Sequence, residues 1–73
     1  MEDKVLEIIN FIRRSKELEP LEKVYPTDNL RNDIGFTSFD LAELTVRIED
    51  QFDIDIFEDG LVSTVEEIYK KLS

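Results

Sequence analysis

The chain has 73 residues, enough for one small domain, and its 9 basic and 18 acidic residues give a formal net charge of −9. That charge repels phosphate backbones and anionic lipids, so it argues against nucleic acid and membrane surfaces as partners and favours a basic protein surface. The chain has no cysteine or histidine, which excludes a disulfide-stapled fold and removes the usual nucleophilic and metal-binding side chains.

The first predicted helix spans about residues 2 to 16. One face is apolar at the i, i+3, i+4, i+7 spacing of a helix packed on a core. Acidic residues near its start and basic residues near its end match the direction of the helix dipole. The apolar face consists of Val5, Ile8, Ile9 and Ile12.

A long irregular connection follows, because Pro20 and Pro26 interrupt the helical pattern. A connection of this length is uncommon in a small domain unless it packs down or has a function. Its apolar anchors predict that it packs over the helices. These anchors are Leu18, Leu21, Val24, Leu30 and Ile34.

The second predicted helix runs from about Ser38 to Phe52 and has two apolar stripes. The wider stripe, which faces the core, consists of Leu41, Leu44, Ile48 and Phe52. The narrower stripe consists of Phe39, Ala42 and Val46. The remaining surface is acidic, with Asp40, Glu43, Glu49, Asp50 and Asp53.

The last part of the chain predicts a short helix and a terminal helix. Gly60 and the acidic segment before it indicate a turn with a single helical turn near Phe57 to Asp59. Thr64 and Glu67 form a capping-box pattern that begins the last helix. A strand through "DIDIF" would lack a partner. The predicted fold is therefore all-α, a small four-helix bundle of three long helices and one short one, with the long loop between helices one and two.

A serine lies where the long loop meets the second helix. Gly35 can adopt the positive φ of a sharp turn, and Thr37 and Asp40 fit a capping box, which puts Ser38 in the first turn. Free N–H groups and the helix dipole there favour a phosphate on the Ser38 hydroxyl. The alternative is that Ser38 is itself the helix cap and has no further role.

Two other classes of function are weaker. Asp55, Asp59, Gly60 and Glu66 match positions 1, 5, 6 and 12 of an EF-hand calcium loop, but position 3 is Phe57, which cannot coordinate a cation. An enzyme would lack its usual parts, since the chain has neither histidine nor cysteine and no glycine-rich phosphate loop. We therefore expect a chain that is not an enzyme and holds no metal.

The segment "DIGFTSFDLAEL", residues 33 to 44, followed by "RIEDQFDIDI", resembles the acyl carrier protein family. The family hallmark is Asp-Ser-Leu at the start of the second helix after Leu-Gly, and the resemblance extends over essentially the whole chain. It implies that a phosphopantetheinyl transferase attaches 4′-phosphopantetheine from coenzyme A to Ser38. The arm would carry acyl groups as thioesters for fatty acid, polyketide or related biosynthesis.

The resemblance also implies two sets of binding residues. Acyl-loading, condensing or transfer enzymes would dock basic patches on Phe39, Asp40, Ala42, Glu43, Val46, Glu49 and Asp50. An acyl pocket between the helices would be lined by Ile8, Leu44, Ile48, Ile56 and Ile68. The residues alone leave alternatives open: the acidic face is typical of a solvated helix surface, and Phe39 and Val46 could instead cover neighbouring loop residues.

Three departures from the family pattern favour a specialised or divergent carrier. Thr37 stands where aspartate is usual, Phe39 where leucine is usual, and no proline follows Ile56. The alternative function is a non-catalytic helical interaction module without a prosthetic group. We expect a single domain over residues 1 to 73 that is monomeric and cytoplasmic.

Overall fold

A computed structural model describes all 73 residues and contains three helices: α1 (Glu2–Ser15), α2 (Ser38–Phe52) and α3 (Val65–Leu72). The structure has no strand, only an isolated antiparallel bridge between Asn29 and Thr64. This confirms the all-α class and the bounds of the second helix, while α1 ends one residue earlier than expected. None of the helices combines the length and the apolar character needed to cross a membrane.

The fourth, short helix is not confirmed, because residues 56 to 60 form only a turn. Two i to i+3 hydrogen bonds hold it: Glu58 N–H donates to Asp55 O at 3.3 Å and Gly60 N–H to Phe57 O at 3.2 Å. Asp55 Oδ1 also accepts the Phe57 N–H at 2.9 Å, and a side chain that binds the local backbone in this way competes with helix formation. The last helix, predicted to be long, has only eight residues.

Helices α1 and α2 are antiparallel neighbours. Lys16, which follows the last residue of α1, forms an ion pair with Asp40 in the first turn of α2. Further along, the Arg47 guanidinium of α2 lies over the Phe11 ring of α1, 4.0 Å from its centroid. These contacts pair the end of one helix with the beginning of the other, as the expected up-down packing requires.

One apolar core is built from all three helices and both connections. Each side chain in it is almost completely removed from water, which is the main source of stability in so small a chain. The core residues are Val5, Ile9, Ile12, Leu30, Ile34, Phe36, Leu44, Ile48, Ile56, Val62, Val65 and Ile68.

The long loop packs over the helices, as predicted. Leu30 and Ile34 are buried, Leu21 and Val24 are half-buried, and only Leu18 among the expected anchors is exposed. Phe36, which the sequence analysis did not single out as an anchor, is also buried.

Backbone bonds tie this loop to α3. Val65 N–H donates to Asp28 O at 3.1 Å, Glu66 N–H to Pro26 O at 2.9 Å, and Leu30 N–H to Ser63 O at 2.8 Å. Two of the N–H groups that a helix start leaves unpaired are thereby satisfied by the loop. The long loop is therefore held both by its buried apolar side chains and by its backbone hydrogen bonds to the start of α3.

Candidate functional site

The first turn of α2 is capped by Thr37, not by Ser38. Thr37 Oγ1 accepts the Asp40 N–H at 3.2 Å, and Asp40 Oδ2 accepts the Thr37 N–H at 2.8 Å. This is the predicted capping box, and it shows that the alternative of Ser38 as the cap is wrong. The Ser38 hydroxyl is therefore free for another role.

Ser38 is exposed at a helix end that has unsatisfied donors. The N–H groups of Ser38 and Phe39 precede the first intrahelical bond and have no acceptor within the protein, whereas those of Asp40 and Leu41 bond to Thr37. Unpaired N–H groups and the positive end of the helix dipole together favour an anion. The environment of the hydroxyl thus fits a phosphate.

A sharp bend brings the loop to this position. Gly35 has φ of +89°, a conformation that favours glycine, and Lys16 Nζ donates to its carbonyl oxygen at 3.1 Å. The positive φ predicted for Gly35 is confirmed.

Arg31 is a site residue that the sequence analysis missed. Its Nη1 donates to Ser38 Oγ at 3.1 Å, across the turn between the long loop and α2. Nothing in the sequence marks this contact, because seven residues separate the two and their approach depends on how the loop folds. The positively charged guanidinium therefore lies within hydrogen-bond distance of the serine hydroxyl.

An apolar cleft of about 370 Å³ opens beside Ser38. Leu41 and Ala42 of α2 form one wall, and Phe57, Leu61 and Val62 from the last connection form much of the other. Leu61, also missed from the sequence, is 89% exposed at the rim of this cleft. An arm attached to Ser38 would have apolar surface beside its point of attachment.

The predicted docking side chains differ in how accessible they are. Phe39 is 87% exposed, so the alternative that it packs on the neighbouring loop is wrong. Ala42 is exposed in the Ser38 cleft, whereas Val46, 68% exposed, lies in a second cleft between α1 and α2 beside Ile8 and Phe11. The narrow apolar stripe is therefore solvent-facing, but Ala42 and Val46 line different clefts and Phe39 lines neither of them.

The acidic residues of α2 also fall into two groups. Asp40 is paired with Lys16, and the Glu43 carboxylate accepts from Arg47 Nε at 2.8 Å. Glu49 and Asp50 are exposed and have no ion-pair partner in the structure. Of these four residues, only Glu49 and Asp50 present to a partner a charge that no ion pair within the chain compensates.

The pKa of Asp40 reflects its double engagement. Partial burial raises the pKa, but the hydrogen bonds from Lys16 and Thr37 and the charge of Lys16 outweigh that effect and hold it below the usual range. Asp40 is therefore ionised at neutral pH, and its carboxylate is occupied by its bonds to Lys16 and Thr37.

Four of the five residues predicted to line an acyl pocket lie in the closed core. Leu44, Ile48, Ile56 and Ile68 are fully buried and line neither of the two clefts described above. Ile8 is half-buried and instead lies in the cleft between α1 and α2. An acyl chain would have to part the core side chains to reach the first four.

The structure does not assemble the calcium loop considered from the sequence. Asp59 pairs with Lys71 at 3.4 Å, and Asp55 accepts the Phe57 N–H. No three acidic side chains come together as possible metal ligands. The match of this segment to an EF-hand loop is therefore confined to the sequence.

Comparison with known proteins identifies the family. Residues 7–72 match the family described as "Phosphopantetheine attachment site". The chain is 39% identical over 62 residues to "Acyl carrier protein" of Syntrophus aciditrophicus, covering 84% of this chain and 71% of that protein. It is 33% identical over 66 residues to "Acyl carrier protein 3" of Ralstonia nicotianae, covering 88% and 76%. No solved structure gives a significant match. The chain therefore belongs to the acyl carrier protein family, and its prosthetic group is 4′-phosphopantetheine.

Proposed function

We propose that Ser38 carries the 4′-phosphopantetheine arm and that the protein shuttles acyl groups, held as thioesters, between biosynthetic enzymes. The observation that carries this assignment is the exposed Ser38 hydroxyl, which has no capping role, at an anion-favouring helix start that Thr37 already caps. A serine that caps a helix would lose its capping role on modification. Ser38 has no capping role to lose, because Thr37 caps α2.

The surroundings of Ser38 suit a phosphodiester but do not activate the serine. The chain has no histidine that could remove the hydroxyl proton. A phosphopantetheinyl transferase must supply the base, so that Ser38 Oγ attacks the coenzyme A phosphorus that bears pantetheine and 3′,5′-ADP leaves. The two free N–H groups then face the negative charge that stays on the protein.

The arm would supply the thiol that the cysteine-free chain lacks. A thioester activates an acyl carbonyl for transfer, and a tether raises the concentration of that carbonyl at each docked enzyme. This role makes the chain a substrate and a shuttle in fatty acid, polyketide or related biosynthesis, not a catalyst.

Partner enzymes would dock beside the arm through basic patches. The exposed Phe39 ring supplies an apolar contact next to Ser38, and Glu49 and Asp50 supply charge not compensated within the chain. Apolar contacts at the centre of an interface dominate affinity, while rim charges mainly raise the association rate. We expect Asp40 and Glu43, which are paired internally, to contribute less.

Acyl loading tests the proposed function. A permissive transferase is given acyl-coenzyme A, and the intact mass is measured before and after hydroxylamine, which cleaves thioesters. The proposal predicts a gain of acyl-phosphopantetheine, of which hydroxylamine removes only the acyl group. A product that hydroxylamine leaves unchanged, or no product at all, would contradict a thioester carrier.

A further inference from the structure

The backbone that carries Arg31 is held rigidly. Asn29 Oδ1 accepts the N–H groups of both Arg31 and Asn32 at 2.9 Å, and Asp33 Oδ2 accepts the Asn29 N–H at 2.7 Å. The adjacent Leu30 is fully buried. The Arg31 side chain therefore extends from a fixed base, although it lies on the protein surface.

The guanidinium of Arg31 has no carboxylate partner in a chain with twice as many acidic as basic residues. Its one polar side-chain contact is the bond from Nη1 to Ser38 Oγ. A neutral hydroxyl is a weak acceptor for a guanidinium, which binds an anionic oxygen pair much more strongly because of its charge and its planar fork. The contact seen with the unmodified serine therefore leaves most of the binding capacity of Arg31 unused.

Modification supplies the missing anion at that place. The non-bridging phosphodiester oxygens are bonded to the same phosphorus as Ser38 Oγ, so they lie within reach of a guanidinium already in contact with Oγ. Asp40, the acidic residue in the first turn of α2, is bound to Lys16 and does not compete for Arg31.

We propose that Arg31 is the phosphate-binding residue of this carrier, transferring its hydrogen bond from the Ser38 hydroxyl to the phosphodiester once the arm is attached. This inference rests on the proposed function of Ser38. Arg31 and Ser38 both line the apolar cleft, so the contact fixes the base of the arm at the cleft mouth. It also neutralises a charge added to a chain that already carries −9.

The test compares wild type with Arg31→Gln, Arg31→Lys and Arg14→Gln in apo and holo forms. Arg14 is an exposed residue of α1 whose side chain forms no hydrogen bond or ion pair in the structure, so its variant matches the loss of charge without touching the site. Each protein is modified with coenzyme A and excess transferase, and intact mass confirms complete modification. The first readout is the phosphorus NMR shift of the phosphodiester at low and high salt.

We expect the Arg31→Gln resonance to move toward its position in urea-unfolded protein and to lose salt dependence, since the ion pair is absent. Arg14→Gln should match wild type, and Arg31→Lys should lie between. The second readout is a thermodynamic cycle that combines the Arg31→Gln substitution with modification of Ser38. The urea midpoints of wild type and Arg31→Gln should differ more in the holo than in the apo forms.

Identical phosphorus shifts in all four holo proteins, with no coupling in the urea cycle, would overturn the role of Arg31 while leaving the carrier function intact. Failure of wild type itself to gain the arm would overturn both proposals. If Arg31→Gln alone resists modification, the holo comparison of Arg31→Lys with wild type decides: a shifted phosphorus resonance supports the contact, and an unshifted one overturns it.

Discussion

Lys16 and Asp40 form an ion pair that joins the end of α1 to the first turn of α2. The same Asp40 carboxylate closes the capping box with Thr37, and the same Lys16 ammonium bonds to the Gly35 carbonyl oxygen. The turn that presents Ser38 is thus held from both sides by one partly buried pair. Protonation of the Asp40 carboxylate would remove this ion pair.

Acid should loosen this turn and the start of α3. The pKa of Asp40 lies below its ordinary 3.8, and hydrogen bonds from Ser63 and Thr64 hold the pKa of Glu67 below its ordinary 4.5. Because the unfolded chain takes up these protons first, the two contributions are complete above those ordinary values and are lost as pH falls through the folded pKa values. Urea midpoints measured from neutral pH into this acidic range should therefore decline.

The double variant Asp40→Asn, Glu67→Gln isolates these two groups from the other carboxylates. It should be less stable than wild type at neutral pH, and the difference should shrink as the pH falls below about 4. Asp50→Asn, which alters an exposed and unpaired carboxylate, is the control. A constant difference between the double variant and wild type at every pH would refute the assignment.

Glycine at position 17 should stabilise the protein. Glu17 follows the end of α1 with φ of +63°, and Leu18 N–H donates to Arg13 O at 2.9 Å, the pattern of a helix end that usually contains glycine. Removing the side chain should relieve strain and raise the unfolding free energy by about 1 kcal/mol. Glu17→Ala keeps the Cβ atom, so an equal gain from alanine in thermal or urea unfolding would show that strain is not the cause.

Reversing the free charges of α2 should slow partner encounters. Glu49→Lys with Asp50→Lys is expected to lower the modification rate several-fold at low salt and to have little effect at high salt, because rim charges act on association. Glu19→Lys with Glu22→Lys, on the long loop, makes the same change in net charge. The modification rate is measured by intact mass at quenched time points. Equal slowing by both double variants would show that net charge, and not docking on α2, sets the rate.

Phe39 should matter for partners and not for folding. It is 87% exposed, so Phe39→Ala is expected to change the unfolding free energy by less than about 0.5 kcal/mol. The same variant should weaken binding to the transferase, measured by calorimetry. Phe36→Leu, at a buried position, should show the reverse pattern. A large loss of stability in Phe39→Ala would place the ring in the fold instead.

Local patterns were sufficient to predict much of this structure. Both capping boxes, at Thr37 and at Thr64, depend on residues three positions apart, and the bounds of α2 follow from one box and the apolar stripe after it. The positive φ of Gly35 is likewise a local property. The attachment position was proposed from the resemblance of residues 33 to 44 to the acyl carrier protein family, because the local pattern alone also allowed Ser38 to be the helix cap.

Contacts that depend on the path of the loops were not predictable in the same way. Arg31 reaches Ser38, and Leu61 reaches the cleft beside it, only because the connections fold back over α2. The prediction of a short fourth helix was not confirmed for a different reason. Asp55 Oδ1 accepts the backbone N–H of Phe57, and this bond favours a turn. Helical periodicity over three residues carries too little information to decide between these outcomes.

Intact mass decides whether Ser38 is the attachment serine. Wild type, Ser38→Ala and Ser63→Ala are measured before and after incubation with coenzyme A and a permissive transferase; Ser63 is the matched control because it lies in the same cleft. We expect one added phosphopantetheine on wild type and Ser63→Ala and none on Ser38→Ala. Modification of Ser38→Ala, or loss of modification in Ser63→Ala, would refute the assignment of Ser38.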